Sequence, residues 1–401
     1  MSTFNPEGIA LKQRLAFNPE RIALARRLEG VTQKELSTRS GLSQAKLSKL
    51  QNGIISFNES DAVKLSGALD YPISYFEESG TVIPLSELTY RKTSRSSMGE
   101  LNSVSTEYSL LMDVIQKLCH VLKMKKNPAA WIDEIAPHEQ SLSEEKIERL
   151  AIRTRECLGL KPDGAVPNVT RAIERAGIIV SPMRSLNMRG GANLTSEGVT
   201  APSSQWHAMC IGYLGNGALG GDRLRFTKAH ELGHLILHRY RKPDSPQLVE
   251  REAHIFAGAF LISQLDARLV LKSNLSLRDF LPVKAGWGIS IAALISRSHN
   301  LGIIDRQRYT SLNIQLSGKG WKKQEPVPVG IENPLLLKQM ITSAYGFKTD
   351  QGLKIDSIGL ASELGAPFRY LDYWSDGLDD EGMHWGIAAN RFEQRPNRMI
   401  A

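Results

Sequence analysis

The first sixty residues have apolar positions at helical spacing, interrupted by residues that start and end helices. Asn18 is a suitable cap for a first helix that ends at Gly30. Thr32 and Glu35 have the spacing of a capping box, which predicts the start of a second helix that ends at Gly41. Short helices separated by glycines indicate an all-α region.

A third and a fourth helix complete this region. Ser43 caps the third helix, which runs through Leu50 and ends at Asn52, and the fourth follows Ser60. Because only a short glycine-containing turn separates the second helix from the third, the pattern is that of a helix-turn-helix unit.

The next part of the chain contains a linker-like segment followed by a helical segment. Residues 80–97 are rich in Gly, Pro, Ser and Thr, which predicts a linker or an extended crossing segment. Residues 100–123 return to helical periodicity with many apolar positions. This helix either packs within the chain or forms the contact between two copies in a homodimer.

Helical and strand patterns alternate farther along. Residues 142–157 and 168–176 have helical periodicity, whereas residues 177–181 and 206–214 are short apolar runs that predict strands. Strands that precede further helices indicate an α+β region. We expect the strand at 206–214 to form an exposed sheet edge that can pair with an extended peptide.

The overall composition is that of a soluble globular protein. Hydrophobic residues make up 41% and charged residues 23% of the 401 positions, and no apolar run reaches membrane-spanning length. We expect no membrane contact and a cytoplasmic location, because the first residues do not form a signal peptide and three cysteines do not suggest a disulfide framework. The net charge of +8 permits binding to nucleic acid.

One stretch in the second half carries a metal-binding pattern. Arg225-Phe-Thr-Lys-Ala-His-Glu-Leu-Gly-His-Leu-Ile-Leu-His238 reads as one helix and contains the spacing His-Glu-x-x-His. His230 and His234 are one turn apart on the same face, so both imidazoles can bind one zinc ion. Glu231 is placed to act as general base toward water at the metal. The pattern predicts metal-assisted peptide hydrolysis.

A catalytic zinc ion needs a third protein ligand. The next predicted helix, residues 248–261, contains Glu250 and His254 four positions apart on one face. We expect Glu250 to be the third ligand, and His254 to support the site by hydrogen-bonding a ligand histidine or by holding the carboxylate. Glu252 is the alternative ligand, although it points to a different side of the helix from His254.

Cys210 lies on the predicted strand before the metal-binding helix. A thiolate at this place could bind the open position of zinc and act as a switch that oxidation or displacement releases. The alternative is a small buried core residue.

The helix-turn-helix unit resembles the lambda-repressor-like, XRE-type DNA-binding domain over residues 18–77. The resemblance rests on Thr32-Gln-Lys-Glu-Leu-Ser and on Ser40-Gly-Leu-Ser-Gln-Ala-Lys-Leu-Ser-Lys-Leu-Gln-Asn-Gly53. It implies that the third helix enters the major groove of an operator in double-stranded DNA, and that Gln33 contacts a phosphate. The residues that would face the groove are Gln44, Ala45, Ser48 and Lys49.

One residue in this unit departs from the family pattern. Gln51 stands where the family usually has glutamate, and we expect this change to affect local bracing more than DNA contact. XRE-type domains generally read paired half-sites, so the resemblance also implies a homodimer. A helical module for protein interaction is the alternative use of this unit.

The two metal-site segments, Arg225-Phe-Thr-x-Ala-His-Glu-Leu-Gly-His-x-x-Leu-His238 and Glu250-x-Glu-Ala-x-x-Phe-Ala-x-x-Phe-Leu261, resemble the ImmA/IrrE family of zinc metallopeptidases. The resemblance implies cleavage of a repressor protein, often one with an XRE-type domain, under stress. At the position of His254 the family usually has asparagine or aspartate. We interpret His238 as structural support, since its distance from the first ligand along the helix rotates it off the ligand face.

These patterns predict a multidomain chain with an all-α helix-turn-helix domain, an α+β zincin-like metallopeptidase domain and a mainly helical C-terminal extension. We place the domains at residues 18–77, 142–325 and 326–401, with a linker and helical connector at 78–141. The predicted function is a DNA-binding regulator with a zinc peptidase that cleaves a repressor or its own chain. The alternative is a DNA-binding regulator whose zinc domain is a non-catalytic scaffold or ligand sensor.

Overall fold

The computed structural model describes residues 16–79, 82–89, 98–186, 197–203, 208–215, 219–350 and 352–378. Most of the predicted linker at 80–97, the start of the strand predicted at 206–214 and the end of the C-terminal extension from 379 lie outside these ranges. Within the described ranges, no helix is long and apolar enough to cross a membrane.

The amino-terminal region contains the predicted run of short helices. These are α1 (Glu20–Glu29), α2 (Gln33–Ser40), α3 (Gln44–Gln51) and α4 (Glu59–Leu69), followed by a 3-10 turn at Ile73–Glu77. The capping box of Thr32 and Glu35 is present, and Ser43 accepts a hydrogen bond from the backbone of Lys46. The fourth helix begins earlier than predicted because Asn58 is its cap.

A long helix connects this region to the α+β part, which in turn precedes a C-terminal part. The connecting helix is α5 (Met98–Val121). The α+β part contains α6 (Trp131–Ile135), α7 (Glu144–Cys157), α8 (Val169–Arg175), β1 (Ile178–Met183), β2 (Gly198–Thr200), β3 (Met209–Leu214), α9 (Gly221–Leu237), α10 (Pro246–Leu261), α11 (Gln264–Val270), α12 (Phe280–Trp287), α13 (Ile291–Asn300) and α14 (Arg306–Gly318). The C-terminal part contains α15 (Leu336–Tyr345), β4 (Phe347–Thr349), β5 (Gly352–Lys354), α16 (Ser357–Leu364) and α17 (Phe368–Trp374).

The strands β1, β2 and β3 form one sheet with β3 in the middle. The β1 strand is parallel to β3, with Ile178 opposite Met209, and β2 is antiparallel to β3, with Thr200 opposite Ile211. The strand predicted at 206–214 is therefore central, and the expectation that it forms an exposed edge is wrong. The two edge positions belong to β1 and β2, and the sequence pattern did not reveal β2.

Both faces of this sheet are covered, which divides the molecule into two cores. Alternate residues of a strand point to opposite faces. On β3, Met209 and Ile211 face the core that contains α9 and α10, whereas Cys210 and Leu214 face a second core. Because the strands are buried on both faces, they are continuous apolar runs rather than alternating patterns.

The second core joins parts of the chain that are far apart in sequence. The helix-turn-helix region, helix α5 and the C-terminal helices α15 to α17 all contribute buried side chains to it. Leu111, Val114 and Ile115 of α5 are fully buried within this one chain. The structure thus favours intramolecular packing over a dimer contact as the role of α5.

Polar contacts fix the helix-turn-helix region to α5 and to the C-terminal part. Arg369 on α17 donates hydrogen bonds of 2.8 Å to Glu29 of α1 and to Asp70 at the end of α4. Lys117 on α5 forms an ion pair with Glu78, just after the 3-10 turn. The predicted C-terminal extension therefore supports the helix-turn-helix region directly.

The core on the α9 side extends beyond the predicted limits of 142–325. Ile132 of α6 is buried in this core. After α14, Glu332 accepts a hydrogen bond of 2.9 Å from the backbone of Thr170 and forms an ion pair with Arg225 of α9. Packing therefore adds residues to this region at both ends.

Candidate metal centre

Helices α9 and α10 pack side by side, and this packing brings the predicted metal ligands together. Gly233 permits the close approach, because a Cβ at this position would lie 2.9 Å from the ring of Phe256 on α10. Across the contact, His230 and His234 on α9 face Glu250 on α10. The spacing of one helical turn places both imidazoles on the contact side of α9.

These three side chains form a compact group of donor atoms. The Nε2 atoms of His230 and His234 are 3.1 Å apart. The carboxylate of Glu250 lies 3.4 Å from the first of these atoms and 3.7 Å from the second. One ligand atom from each residue lies within 4.8 Å of the other two. Two imidazoles and a carboxylate suit a catalytic zinc ion with an open position, so the group fits one zinc ion.

Glu231 lies beside this group and is only 3% exposed. Its Oε2 atom has no hydrogen-bond partner among the described residues. Burial raises the pKa of Glu231 well above its ordinary value, and the nearby carboxylate of Glu250 adds to this shift. Leaving a buried carboxyl oxygen without a partner is unfavourable, so this atom marks the place where another polar group would bind.

A row of buried polar groups extends from His234 away from the ligand group. The Nδ1 atom of His234 lies 3.0 Å from Nδ1 of His238, and Nε2 of His238 lies 3.1 Å from the carboxylate of Glu252. Arg241 donates two hydrogen bonds to that carboxylate, at 3.0 and 3.1 Å. All four side chains are buried. We call this row the His238 relay.

The His238 relay fixes the tautomer of His234. A carboxylate only accepts hydrogen bonds, so Nε2 of His238 carries the proton and its Nδ1 is an acceptor. His234 must then donate from Nδ1, which leaves the lone pair of its Nε2 for a metal ion. Burial raises the pKa of Glu252, but hydrogen bonds from His238 and Arg241 outweigh burial and lower this pKa below its ordinary value.

Burial also favours the neutral form of both histidines. The pKa of His234 is well below its ordinary value, mainly because of burial and further because of His230 and His238. Burial likewise lowers the pKa of His238, although Glu252 opposes this change. Neutral imidazole is the form that binds metal ions.

His254 is placed differently from the sequence prediction. It is exposed on α10, its ring lies 4.9 Å from the ring of Phe226, and its Nε2 lies 3.4 Å from the hydroxyl of Ser296. The hydrogen bond that orients a ligand histidine is made by His238 instead. Of the two supporting roles predicted for His254, the hydrogen bond to a histidine of the ligand group is therefore made by another residue, and the role of holding the Glu250 carboxylate stays a prediction.

The sequence interpretation missed two members of the relay. Glu252, considered only as an alternative ligand, is outside the ligand group and accepts hydrogen bonds from His238 and Arg241. Two signals were present. Arg241 follows soon after His238, just past the end of α9, and Glu252 stands on a different side of α10 from Glu250, where a buried cation and a histidine need an acceptor.

Cys210 points away from the ligand group. Its side chain faces the second core on the opposite side of the sheet from α9. It is buried, and burial raises the pKa of the thiol, which disfavours the thiolate. The prediction of a zinc switch is therefore wrong, because alternate residues of β3 point to opposite faces, and the core-residue alternative describes Cys210.

The first residues of the metal-site segment hold α9 in place. Arg225 pairs with the carboxylate of Glu332, and Lys228 donates hydrogen bonds of 2.7 Å to the hydroxyl of Thr170 and 2.9 Å to the carbonyl of Glu332. Lys228 is fully buried with its Nζ 4.4 Å from the centre of the Tyr213 ring. Burial lowers the pKa of Lys228 to about 8. Two buried cations make this helix dependent on Glu332.

The predicted DNA contacts share one side of the helix-turn-helix region. Gln44, Ala45 and Lys49 are exposed on α3, and Ser48 is half-buried. Their spacing places these four residues on one face of the helix. Gln33 donates a hydrogen bond of 2.9 Å to the carbonyl of Gln44, which joins the start of α2 to the start of α3.

Gln51 braces α3 against α1. Its Oε1 accepts a hydrogen bond of 3.2 Å from the guanidinium of Arg26. Its Nε2 is buried and has no partner in the part of the chain that the structure describes. The position thus braces the unit from inside, away from the exposed face of α3.

Comparison with known protein families matches two separate parts of this fold. Residues 22–76 match a model described as helix-turn-helix, and residues 208–299 match a peptidase-family model described as IrrE N-terminal-like domain. The chain therefore combines a DNA-binding type of domain with a metallopeptidase type of domain. More particularly, it joins an XRE-type helix-turn-helix to an ImmA/IrrE-like region. No curated protein and no solved structure matched the chain.

Proposed function

We propose that this chain is a DNA-binding transcriptional regulator whose second region is a zinc-dependent metalloendopeptidase. The observation that supports the proposal is the convergence of His230, His234 and Glu250 beside the buried Glu231. The substrate is a repressor protein or the chain itself, and cleavage responds to a stress signal.

The three ligands and Glu231 have separate roles in peptide hydrolysis. His230, His234 and Glu250 would hold the zinc ion, which would supply a Lewis acid for the scissile carbonyl and lower the pKa of water. Glu231 takes a proton from the attacking water as the water oxygen bonds to the carbonyl carbon. As the C–N bond breaks, Glu231 gives that proton to the leaving amine nitrogen.

The His238 relay positions a ligand rather than touching the reacting atoms. Glu252 holds His238, and His238 holds the ring of His234 in the tautomer that exposes Nε2 to the metal. The bidentate contact with Arg241 keeps the Glu252 carboxylate ionised and fixed.

In the DNA-binding half, helix α3 enters the major groove of a double-stranded operator. Gln44 is suited to a bidentate contact with adenine, and Lys49 adds a positive charge toward the phosphates. Two copies of the chain read paired half-sites, so we propose a homodimer on DNA.

A second candidate is a DNA-binding regulator whose zinc region is a non-catalytic scaffold or ligand sensor. One observation favours it. The edge of the sheet beside Glu231 is already paired with this chain, since Thr89 and Thr200 form an antiparallel bridge.

The two candidates differ in the fate of the peptide bond. Full-length protein loaded with zinc is incubated with and without DNA, and the intact masses of wild type and Glu231→Gln are compared. We expect fragments from the wild type, and cleavage at least about 100-fold slower in Glu231→Gln, because the amide cannot accept the proton.

Zinc content distinguishes loss of chemistry from loss of the site. Glu231→Gln should bind as much zinc as the wild type, since Glu231 is not a ligand, and Glu156→Gln on the exposed side of α7 serves as the matched control that keeps cleavage. Intact masses for zinc-loaded protein under every condition would favour the scaffold or sensor.

A further inference from the structure

Residues 82–89, which we call the strap, lie beside the edge of the sheet at the candidate metal centre. The strap stands between the helix-turn-helix region and α5 in sequence. Thr89 donates a backbone hydrogen bond of 2.8 Å to the carbonyl of Thr200 and accepts one of 3.3 Å from the Thr200 N–H. The strap therefore adds one residue of antiparallel pairing to the outer side of β2.

The β2 strand is the side of the sheet that adjoins Glu231. A Cβ at Gly198, two residues before Thr200, would lie 2.6 Å from Oε1 of Glu231. Extended peptides bind proteins by adding a strand to a sheet edge, which fixes the peptide backbone in one direction. Pairing with β2 would bring a peptide past the carboxyl group of Glu231, and Thr89 takes up the hydrogen-bonding groups of Thr200.

The strap also forms a wall of the cavity next to the ligand group. A cavity of about 660 Å³ lies between residues 85–89 on one side and Arg241 with Glu250 on the other. Pro202, just after β2, also lines this cavity. The strap and Glu250 therefore line the same cavity.

The strap is attached at two places: its first half is bound to α5, and its last residue is bound to β2 by the bridge. Ile83 is 3% exposed, its N–H donates a hydrogen bond of 2.8 Å to Ser109, and its carbonyl accepts one of 2.6 Å from Ser105. Leu88 is buried in the second core. Thr89 is half-buried and attached to β2 by the bridge. The bridge can therefore open while Ile83 stays in place.

We propose that the strap is an autoinhibitory segment that competes with a peptide for the edge of β2. This inference rests on the proposed peptidase function. Ser105 and Ser109, which hold the strap, belong to α5, and Ser103 of the same helix donates a hydrogen bond of 3.1 Å to the carbonyl of Arg27 in α1. A change in the helix-turn-helix region thus has a short physical route to the strap.

The test uses binding, so that it does not depend on catalysis. The probe is a fluorescein-labelled peptide with the sequence of residues 82–89, and binding is measured by anisotropy on zinc-loaded, full-length Glu231→Gln protein. Thr89→Pro removes the N–H that bonds Thr200. Thr89→Ser keeps both backbone hydrogen bonds of the bridge and the side-chain hydroxyl, which donates to the Thr200 carbonyl at 3.2 Å.

We expect the Thr89→Pro protein to bind the probe about 10-fold more tightly than the Glu231→Gln protein that keeps Thr89, because the edge of β2 is open in a larger fraction of molecules. Thr89→Ser, which keeps every hydrogen bond between residue 89 and Thr200, should leave the affinity unchanged. Equal affinities in all three proteins, or no binding by any of them, would overturn the proposal.

Two further measurements protect this test. Circular dichroism checks whether the Thr89→Pro protein is folded. If that protein does not fold, Leu88→Ala takes its place: it weakens the packing of the residue before the bridge and should also tighten binding of the probe. With Glu231 restored, tighter binding without any cleavage would reject the peptidase function and leave the strap as a competitor for peptide binding. Faster cleavage of the probe by the Thr89→Pro protein supports both the peptidase function and the autoinhibitory role of the strap.

Discussion

Two buried glutamates on opposite sides of the sheet are stabilised in different ways. Glu252, on the metal side, is bonded by the cation of Arg241 and has a lowered pKa. Glu107 of α5, on the other side, accepts hydrogen bonds from two backbone N–H groups after β1 and from the indole of Trp374. Burial raises the pKa of Glu107, because these neutral donors do not compensate for desolvation.

The difference shows what each side of the molecule needs. On the metal side a fixed negative charge orients His238 and, through it, His234, so the carboxylate must remain ionised. On the other side Glu107 joins α5, the end of β1 and α17, and hydrogen bonding alone is sufficient for that purpose. At Glu252 a charge orients a histidine, whereas at Glu107 hydrogen bonds from neutral donors join α5 to α17.

The largest expected effect is that of Glu252→Gln. The substitution leaves the buried cation of Arg241 without an opposite charge, so we expect the free energy of unfolding to fall by about 3–5 kcal/mol. Urea unfolding in excess chelator measures this change without a contribution from metal. Zinc affinity should fall about 10- to 100-fold, because His234 loses its orientation.

Glu250→Gln is the matched control, since it lies two residues away on the same helix. Its side chain is 28% exposed, so it should change the metal-free stability by less than about 1 kcal/mol while zinc binding is lost. If Glu252→Gln were no more destabilising than this control, the negative charge of Glu252 would not be needed for the stability of the fold.

The second prediction concerns Glu107→Gln. The amide oxygen can still accept hydrogen bonds, but the NH₂ group meets a backbone donor, so the free energy of unfolding should fall by about 1–2 kcal/mol. Zinc affinity should not change. A loss as large as that of Glu252→Gln would contradict the contrast between the two sides.

Acid dependence distinguishes these two glutamates further. The lowered pKa of Glu252 means that its stabilisation is present above the unfolded pKa and is lost as pH falls. The raised pKa of Glu107 means that its stabilisation is present at low pH and is lost as pH rises through the folded pKa. The stability gap between wild type and variant should therefore shrink in acid for Glu252→Gln and grow in acid for Glu107→Gln.

The smallest expected effect extends the comparison to the helix-turn-helix region. There Arg26 is paired with the neutral Gln51. Gln51→Glu replaces a buried nitrogen that has no partner among the described residues with a second acceptor for Arg26, so stability should rise by about 0.5–1 kcal/mol. Gln315→Glu on the exposed face of α14 is the control and should have no measurable effect. A decrease with Gln51→Glu would show that burial outweighs the new ion pair.

Local sequence signals predicted the helices and ligands that depend on near neighbours. The capping box at Thr32 follows from a spacing of three residues, and the pair His230 and His234 follows from one helical turn. The placement of Glu250 beside His230 needed the contact between two helices, and its role as a ligand stays a prediction. Such features are readable because a single helix determines them.

Features that depend on the meeting of distant segments were missed or wrong. The β2 strand has three residues, too few for a hydrophobic pattern, so the edge of the sheet was assigned to β3. The position of Cys210 depends on which face of β3 meets α9, and no pattern within a strand buried on both faces reveals this. His254 shares a face with Glu250, but spacing cannot show where that face meets α13.

Glu332 has a consequence for the order in which the chain is made. It is separated by 107 positions from Arg225, whose buried guanidinium it neutralises. A nascent chain that has left the ribosome only as far as α14 contains every residue of the zinc ligand group but not this carboxylate. The α9 helix can therefore settle into its final packing only late in translation, when the synthesis of the DNA-binding region is long complete.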